Sequence, residues 1–168
     1  GFADFHIAIR PPKGLRALIR PQVFFHFEEF EAFKPLPADQ AFPMFEWGMN
    51  WCVANRCHWN LVIHAAVIER GGRAVVMPAP SGSGKSTLCA GLVNRGWRLL
   101  SDELALIHPQ TMSLTPLVRP ISLKNASIGV MREFVPEGIF GSVVRDTTKG
   151  DIAHMSPPRE SVARMGEQ

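Results

Sequence analysis

The segment from residue 79 to residue 87 constrains the fold of this chain more than any other feature. Its sequence, Ala-Pro-Ser-Gly-Ser-Gly-Lys-Ser-Thr, fits the phosphate-binding loop G-x-x-x-x-G-K-[ST], except that Ala79 replaces the first glycine. Gly82 and Gly84 allow the backbone to turn its N–H groups inward around an anion. A helix that begins near Lys85 would add its positive N-terminal end. The segment therefore predicts a site for a nucleoside triphosphate.

The neighbouring residues predict the strand and the helix that such a loop requires. Residues 73–77 form a short apolar run between two glycines and a proline, and residues 86–94 carry apolar residues at helical spacing. Within the motif, Lys85 is expected to reach the terminal phosphates and the Ser86 hydroxyl to hold Mg²⁺. The predicted nucleotide-binding residues of the loop are Ser81, Gly82, Ser83, Gly84, Lys85, Ser86 and Thr87.

Composition narrows the class of protein. A chain of 168 residues with 46% hydrophobic residues can form one well-packed domain, and a net charge of +3 does not favour nucleic-acid binding. Its apolar runs are shorter than the ~20 residues of a membrane span, and its first residues show no signal-peptide pattern. We therefore expect a cytoplasmic protein that binds neither nucleic acid nor membrane. The start of the chain, Gly-Phe-Ala-Asp, suggests truncation or processing.

Three cysteines do not favour a disulfide framework. Cys52 and Cys57 precede His58 and could suggest a metal site. The two cysteines are five residues apart, roughly 140° around a helix, so they would not share a face of the helix predicted for residues 39–56. Buried thiols are the simpler interpretation.

The chain is expected to consist of an N-terminal region, residues 1–58, packed on a core formed by residues 59–168. Strands are predicted at 5–9, 23–27, 59–68, 73–77, 98–103, 114–118 and 121–124, and a short helix at 127–134. From Pro136 onward, glycine, proline and charged residues predict flexible loops.

Two carboxylates end the strand that follows the loop helix. Asp102 and Glu103 come directly after the apolar residues 98–101. If this strand lies beside the strand that carries the loop, both carboxylates reach the phosphate edge of the sheet. There a carboxylate can accept a proton from an incoming hydroxyl or help to hold Mg²⁺. The alternative is a solvated acidic turn.

His64 lies within the apolar strand predicted at 59–68, and a lone histidine in such a place is usually a satisfied core residue. Arg119, Lys124 and Lys149 are candidate cations for the transferring group, or else solvated surface charges.

These residues together resemble the catalytic domain of the bacterial HPr kinase/phosphorylase family, and most closely the related kinase A proteins. The likeness rests on His64, on the loop from Pro80 to Ser86, and on the segment Asn-Arg-Gly-Trp-Arg-Leu-Leu-Ser-Asp-Glu at 94–103. It is firm from His64 to Ile107 and looser from there to His154. The resemblance implies an α/β fold with a P-loop core similar to phosphoenolpyruvate carboxykinase, preceded by a small N-terminal mixed sheet.

The resemblance also implies an activity and its residues. We expect an ATP-dependent kinase that phosphorylates a seryl or other hydroxyl of a protein or peptide. Its implied catalytic residues are Asp102 as the acid/base group, His64 and Lys85; Ser86 and Glu103 would hold Mg²⁺, and Arg119 would contact the nucleotide.

Three departures from the family limit what the likeness implies. Glu103 replaces a second aspartate, and the segment 117–120 keeps Arg119 but lacks the acid and the glycine of a motif tied to phosphorylase chemistry. No HPr-docking C-terminal helix is evident, so we do not expect HPr to be the substrate.

Other functions stay open on the sequence alone. One is an ATP-hydrolysing or nucleotide-sensing switch. Another is a peptide-binding scaffold of a biosynthetic cluster that uses the aromatic residues of 22–59 as its interface. A small-molecule kinase and a homo-oligomeric assembly are equally compatible with the sequence.

Overall fold

The computed structural model describes residues 5–15, 19 and 21–166, and its contacts divide the chain into two units, Gly1–Cys57 and His58–Gln168. The boundary lies one residue from the predicted one. No helix within the described residues is long and apolar enough to cross a membrane.

The first unit is a small sheet with one long helix. Its elements are β1 (Ile7–Arg10), β2 (Gln22–Phe27), β3 (Phe30–Glu31), β4 (Leu36–Pro37), a 3-10 turn (Ala38–Gln40) and α1 (Ala41–Arg56). β2 pairs with the other three strands, always antiparallel, so the prediction of a mixed sheet is wrong. Phe25 and Phe27 alternate with more exposed residues along β2 and pack with Met44 and Cys52 of α1. Cys52, Cys57 and Cys89 are buried thiols, as predicted for the first two, and burial raises the pKa of Cys52.

The second unit contains a five-stranded sheet and the predicted strand-loop-helix. Its elements are β5 (Leu61–Arg70), β6 (Arg73–Pro78), α2 (Lys85–Val93), β7 (Arg98–Ser101), β8 (Leu104–Ile107) and β9 (Leu114–Thr115). The ten-residue strand β5 pairs with β6 on one edge, and with β8 and β7 on the other. The order of strand, loop and helix around the motif is therefore as predicted.

The expected position of β7 beside β6 is wrong, because β5 lies between them. Both strands run antiparallel to β5 and hence parallel to each other. Pro78 at the end of β6 is opposite Ala65, and Ser101 at the end of β7 is opposite Val67. The loop after β6 and the carboxylates between β7 and β8 thus lie at the same level along β5, on opposite sides of it. Their proximity is as expected from the sequence.

A second sheet follows, with β10 (Ile121–Lys124), α3 (Ala126–Phe134), β11 (Val144–Thr147), β12 (Gly150–Met155) and α4 (Arg159–Ala163). β12 lies between β10 and β11 in this antiparallel sheet. The prediction of flexible loops after Pro136 is wrong, because residues 152–155 are buried as the central strand of this sheet.

Helix α2 packs against both sheets. Cys89, Ala90 and Val93 are buried with Ile68 and Leu99 of the first sheet. Ile121 and Leu123 of the second sheet belong to the same core. Burial on two sides fixes the axis of the helix, and so the position of the loop at its N-terminus.

Gly48 of α1 offers a test of the packing in the first unit. A Cβ at this position would overlap the ring of Phe25, which is fully buried. We expect Gly48→Ala to destabilise the protein by about 1–3 kcal/mol, despite the better helix propensity of alanine. The matched control is Gly129→Ala in α3, where a Cβ meets open space and about 0.5–1 kcal/mol of stabilisation is expected. Urea unfolding of both variants measures the difference, and equal effects would contradict the packing.

Candidate functional site

The loop is an open, solvent-exposed turn at the N-terminus of α2. Gly82 and Gly84 have φ values of +83° and +87°, and no atom lies within 4 Å of the place a Cβ would take. The Ser83 hydroxyl donates a hydrogen bond to the Pro80 carbonyl at 2.8 Å, which closes the turn. The first helical bond runs from Leu88 N–H to the Gly84 carbonyl at 2.9 Å. The N–H groups of the first helical turn have no carbonyl partner within the helix, and can bind an anion.

Lys85, His64 and Glu103 form a chain of side-chain contacts beside the loop. Lys85 Nζ lies 3.1 Å from His64 Nε2, and His64 Nδ1 lies 3.6 Å from Glu103 Oε2. The strand register explains this, because His64 is opposite Leu104 in β8, next to Glu103. His64 is therefore an exposed member of the cluster and not a core residue.

The contacts determine which nitrogen of His64 carries the proton. Partial burial of the ring, followed by the positive charge of Lys85, lowers the pKa of His64, so the ring is neutral near pH 7. An ammonium group only donates, so Nε2 accepts the hydrogen bond from Lys85. The ring proton is then on Nδ1, where it faces Glu103. The site thus has an imidazole whose tautomer is set by a lysine on one side and a carboxylate on the other.

Asp102 is buried at the base of the loop, with 6% of its surface exposed. Its Oδ2 accepts a hydrogen bond from Ser122 N–H at 3.1 Å. Burial, followed by the negative charge of Glu103, raises the pKa of Asp102 to about 7, although hydrogen bonds from Ser122 and the Ser86 side chain act in the opposite direction. Asp102 Oδ1 is buried and accepts no hydrogen bond from the described part of the chain.

The paired Asp102 and Ser86 fit Mg²⁺ bound together with a nucleotide. A hydroxyl and an adjacent buried carboxylate oxygen that lacks a donor are oxygen ligands of the kind that a hard cation prefers. Within the described ranges, no group of three or more His, Cys, Asp or Glu residues could hold a metal ion alone. Mg²⁺ ordinarily takes one or two carboxylates and completes its shell with phosphates and water, so two protein ligands suffice. The expected ligand Glu103 instead faces His64.

The other predicted cations lie in different places. The charges of Lys124 and Lys149 both contribute to the lowered pKa of His64, so both lysines lie near the cluster. Arg119 is half-buried in the segment that leads into β10, and its contact with nucleotide stays a prediction. His154 is buried in β12 opposite Ser122. Ser122 could not be identified from the sequence, because a backbone donor leaves no signal in residue type.

A family model described as "SynChlorMet cassette protein ScmC" matches residues 44–115, a range that runs from α1 to β9 and includes the loop. No curated protein and no solved structure matches the chain. The description of this family names no activity.

Asp102 should make the stability of the protein depend on pH. Because its folded pKa of about 7 exceeds the usual value of 3.8, the folded state binds more protons between these pH values, and stability falls as pH rises through this window. We expect Asp102→Asn to be more stable than the wild type at pH 8, by about 4 kcal/mol at most. The gain should shrink as pH falls from 7 and vanish below 4.

Thermal unfolding at several pH values measures this difference. Glu137→Gln, which removes an exposed carboxylate of the same unit, is the matched control and should show no such trend. A stability difference for Asp102→Asn that is the same at pH 5 and pH 8 would contradict the raised pKa.

Proposed function

We propose that this chain is an ATP-dependent kinase with an HPr-kinase-like core, which transfers the γ-phosphate to a hydroxyl group. A seryl hydroxyl of a protein or peptide is the acceptor that the sequence resemblance implies. The observation that carries the proposal is the convergence of His64, Lys85, Asp102 and Glu103, from three separate strand and loop segments, at one phosphate-binding loop. A loop that only bound nucleotide would need neither the histidine nor the second carboxylate.

Nucleotide binding is the first role of the site. Loop N–H groups and the N-terminus of α2 surround the β- and γ-phosphates. Lys85 changes partner from His64 to the phosphate oxygens, because a charged oxygen is the stronger acceptor. This change releases the lone pair of His64 Nε2 at the position where the γ-phosphate arrives.

Asp102 and Ser86 are the proposed protein ligands of Mg²⁺. When bound there, Mg²⁺ would neutralise charge on the phosphate oxygens during transfer. Ser122 N–H holds the Asp102 carboxylate through Oδ2, and Oδ1 accepts no hydrogen bond from the described residues, which leaves it to bind the ion. This assignment gives Asp102 the metal-binding role that the resemblance implies for Glu103, and gives the proton-accepting role of Asp102 to His64.

His64 is the proposed proton acceptor for the attacking hydroxyl. Its Nδ1–H faces Glu103, which orients the ring and stabilises the charged form after proton uptake, as the acid does in other acid–histidine pairs. His64 has a side chain 53% exposed, whereas Asp102 is almost completely buried. An incoming acceptor therefore has access to the histidine and not to the aspartate. Positioning and electrostatic stabilisation supply the rest of the acceleration.

A cytoplasmic location belongs to the same proposal. Cytoplasmic ATP is the phosphate donor, and thiols persist in a reducing compartment.

Loss of the loop lysine should weaken nucleotide binding. We expect Lys85→Ala to reduce the affinity for Mg-ATP by about 1.5–3 kcal/mol, the usual value of a hydrogen bond to a charged group. Isothermal titration calorimetry measures it. Arg73→Ala, at the other end of β6, removes one charge far from the loop and should leave the affinity unchanged. Equal affinity of the wild type and Lys85→Ala would remove the basis of the proposal.

The roles of Asp102 and Glu103 can be separated by measuring both Mg-ATP binding and phosphate transfer for each variant. We expect His64→Gln and Glu103→Gln to keep the affinity for Mg-ATP and to reduce phosphate transfer by about 10²–10⁴-fold, the contribution of general base catalysis. Asp102→Asn should instead raise the Mg²⁺ concentration needed for tight nucleotide binding, because it removes a ligand charge. Transfer is measured from labelled ATP to a library of seryl peptides.

Three outcomes would contradict parts of this mechanism. If Asp102→Asn loses transfer with an unchanged Mg²⁺ requirement, Asp102 is the proton acceptor. If the wild type binds and hydrolyses ATP but labels no hydroxyl, the chain is a nucleotide-dependent switch. If partner binding persists in Lys85→Ala and the wild type binds no nucleotide, the scaffold hypothesis replaces the kinase.

A further inference from the structure

The turn between β11 and β12 presents an exposed lysine on a closely hydrogen-bonded hairpin. Lys149 N–H donates to the Thr147 hydroxyl at 3.1 Å, and this hydroxyl donates to the Gly150 carbonyl at 2.6 Å. Thr147 is buried, so the base of the turn is anchored in the unit. The lysine is therefore carried by an ordered turn.

Asn125 fixes this hairpin to the end of β10. Its N–H donates to the Asp151 carbonyl at 2.9 Å, and its Oδ1 accepts from Asp151 N–H at 3.1 Å. Asn125 has φ +51° and ψ −125°, a strained conformation for a residue with a side chain. The amide also packs so closely against Gly150 that a Cβ there would overlap it. Strain of this kind persists where the position of a segment matters for function.

The end of β10, where Asn125 fixes the hairpin, lies near the residues that surround the predicted phosphate-binding loop. Its Ser122 N–H binds Asp102, and α2 packs against the strand. Lys124 is two residues beyond Ser122, on the same face of β10, because side chains of a strand alternate. Lys124 is also paired with Ile152 of β12, three residues after Lys149. Both lysines thus lie at the end of the second sheet that is next to Asp102.

The electrostatics agree with this placement. After burial and Lys85, the same two lysines lower the pKa of His64, although one lies in β10, the other lies in the β11–β12 turn, and both are distant from His64 in sequence. Their charges therefore act on the same cluster as that of Lys85.

We propose that Lys149, together with Lys124, forms a second anion subsite that binds the γ-phosphate of the nucleotide. The proposal rests on the proposed nucleotide site and extends it. During transfer the charge of the phosphoryl group is spread over three oxygens, and one lysine of the loop cannot bind all of them. A cation carried by a fixed hairpin supplies that contact without reorganisation when the nucleotide binds.

The test compares a nucleotide that has a γ-phosphate with one that lacks it. Binding of the β,γ-imido analogue of ATP and of ADP is measured by calorimetry with Mg²⁺. In Lys149→Met we expect a loss of about 10- to 100-fold for the imido analogue, equivalent to one charge-assisted hydrogen bond. The affinity for ADP should change less than about twofold, since ADP does not reach the subsite.

Two controls isolate the charge of Lys149. Lys149→Arg should keep the preference for the imido analogue, because it keeps the charge. Arg73→Met, which also removes one exposed cation, should leave the affinity for both nucleotides unchanged.

The result distinguishes failure of the subsite from failure of the proposed function. If Lys149→Met weakens the binding of both nucleotides equally, or of neither, the proposed subsite is wrong while the nucleotide site stands. Unchanged binding of both with loss of transfer would assign the lysine to the acceptor and overturn its γ-phosphate role. If the wild type binds neither nucleotide, the nucleotide site and the subsite are both wrong.

Discussion

The pairing of β5 with strands on both of its edges is the constraint on which the candidate site depends. β6 on one edge ends at the loop, and β7 on the other ends at Asp102. The N-terminal half of β5 pairs with β8 and presents His64 at the same level. Three segments distant in sequence therefore meet at one level of the sheet, because a single ten-residue strand sets the register of its neighbours. Helix α2, held between two sheets, then orients the loop toward them.

The buried carboxylate of Asp102 lowers the stability of the folded chain. Burying a carboxylate oxygen that accepts no hydrogen bond from the described residues is costly. Glu103 beside it increases that cost, as the raised pKa of Asp102 shows. A cation bound beside Asp102, as proposed, would relieve both penalties at once. Perturbed carboxylates of this kind cluster at functional sites.

Local patterns in the sequence predicted the elements of the site better than their partners in space. The loop motif and its flanking strand and helix follow from glycine, lysine and apolar spacing, and β10 was predicted at its observed bounds. His64 could be identified only through the family resemblance, because one histidine in an apolar strand has no distinctive spacing. The position of β5 between β6 and β7 was not predictable from the sequence. The ends of β6 and β7 lie close together whether the two strands are neighbours or are separated by an antiparallel strand. β12 was not predicted, because glycine and proline flank its four buried residues in the sequence and indicate loops. The burial of this strand depends on tertiary contacts.

The central claim is that the loop at residues 81–86 binds the phosphates of a nucleotide next to His64. Amide and imidazole resonances of the isotope-labelled wild type, followed by NMR during addition of Mg-ATP, test it most directly. The account predicts large shifts for the amides of Gly82, Gly84 and Lys85 and for the ring of His64, which loses the contact with Lys85. Shifts that are absent, or that gather around the cavity lined by Glu69, Arg98 and Arg164 instead, would contradict it.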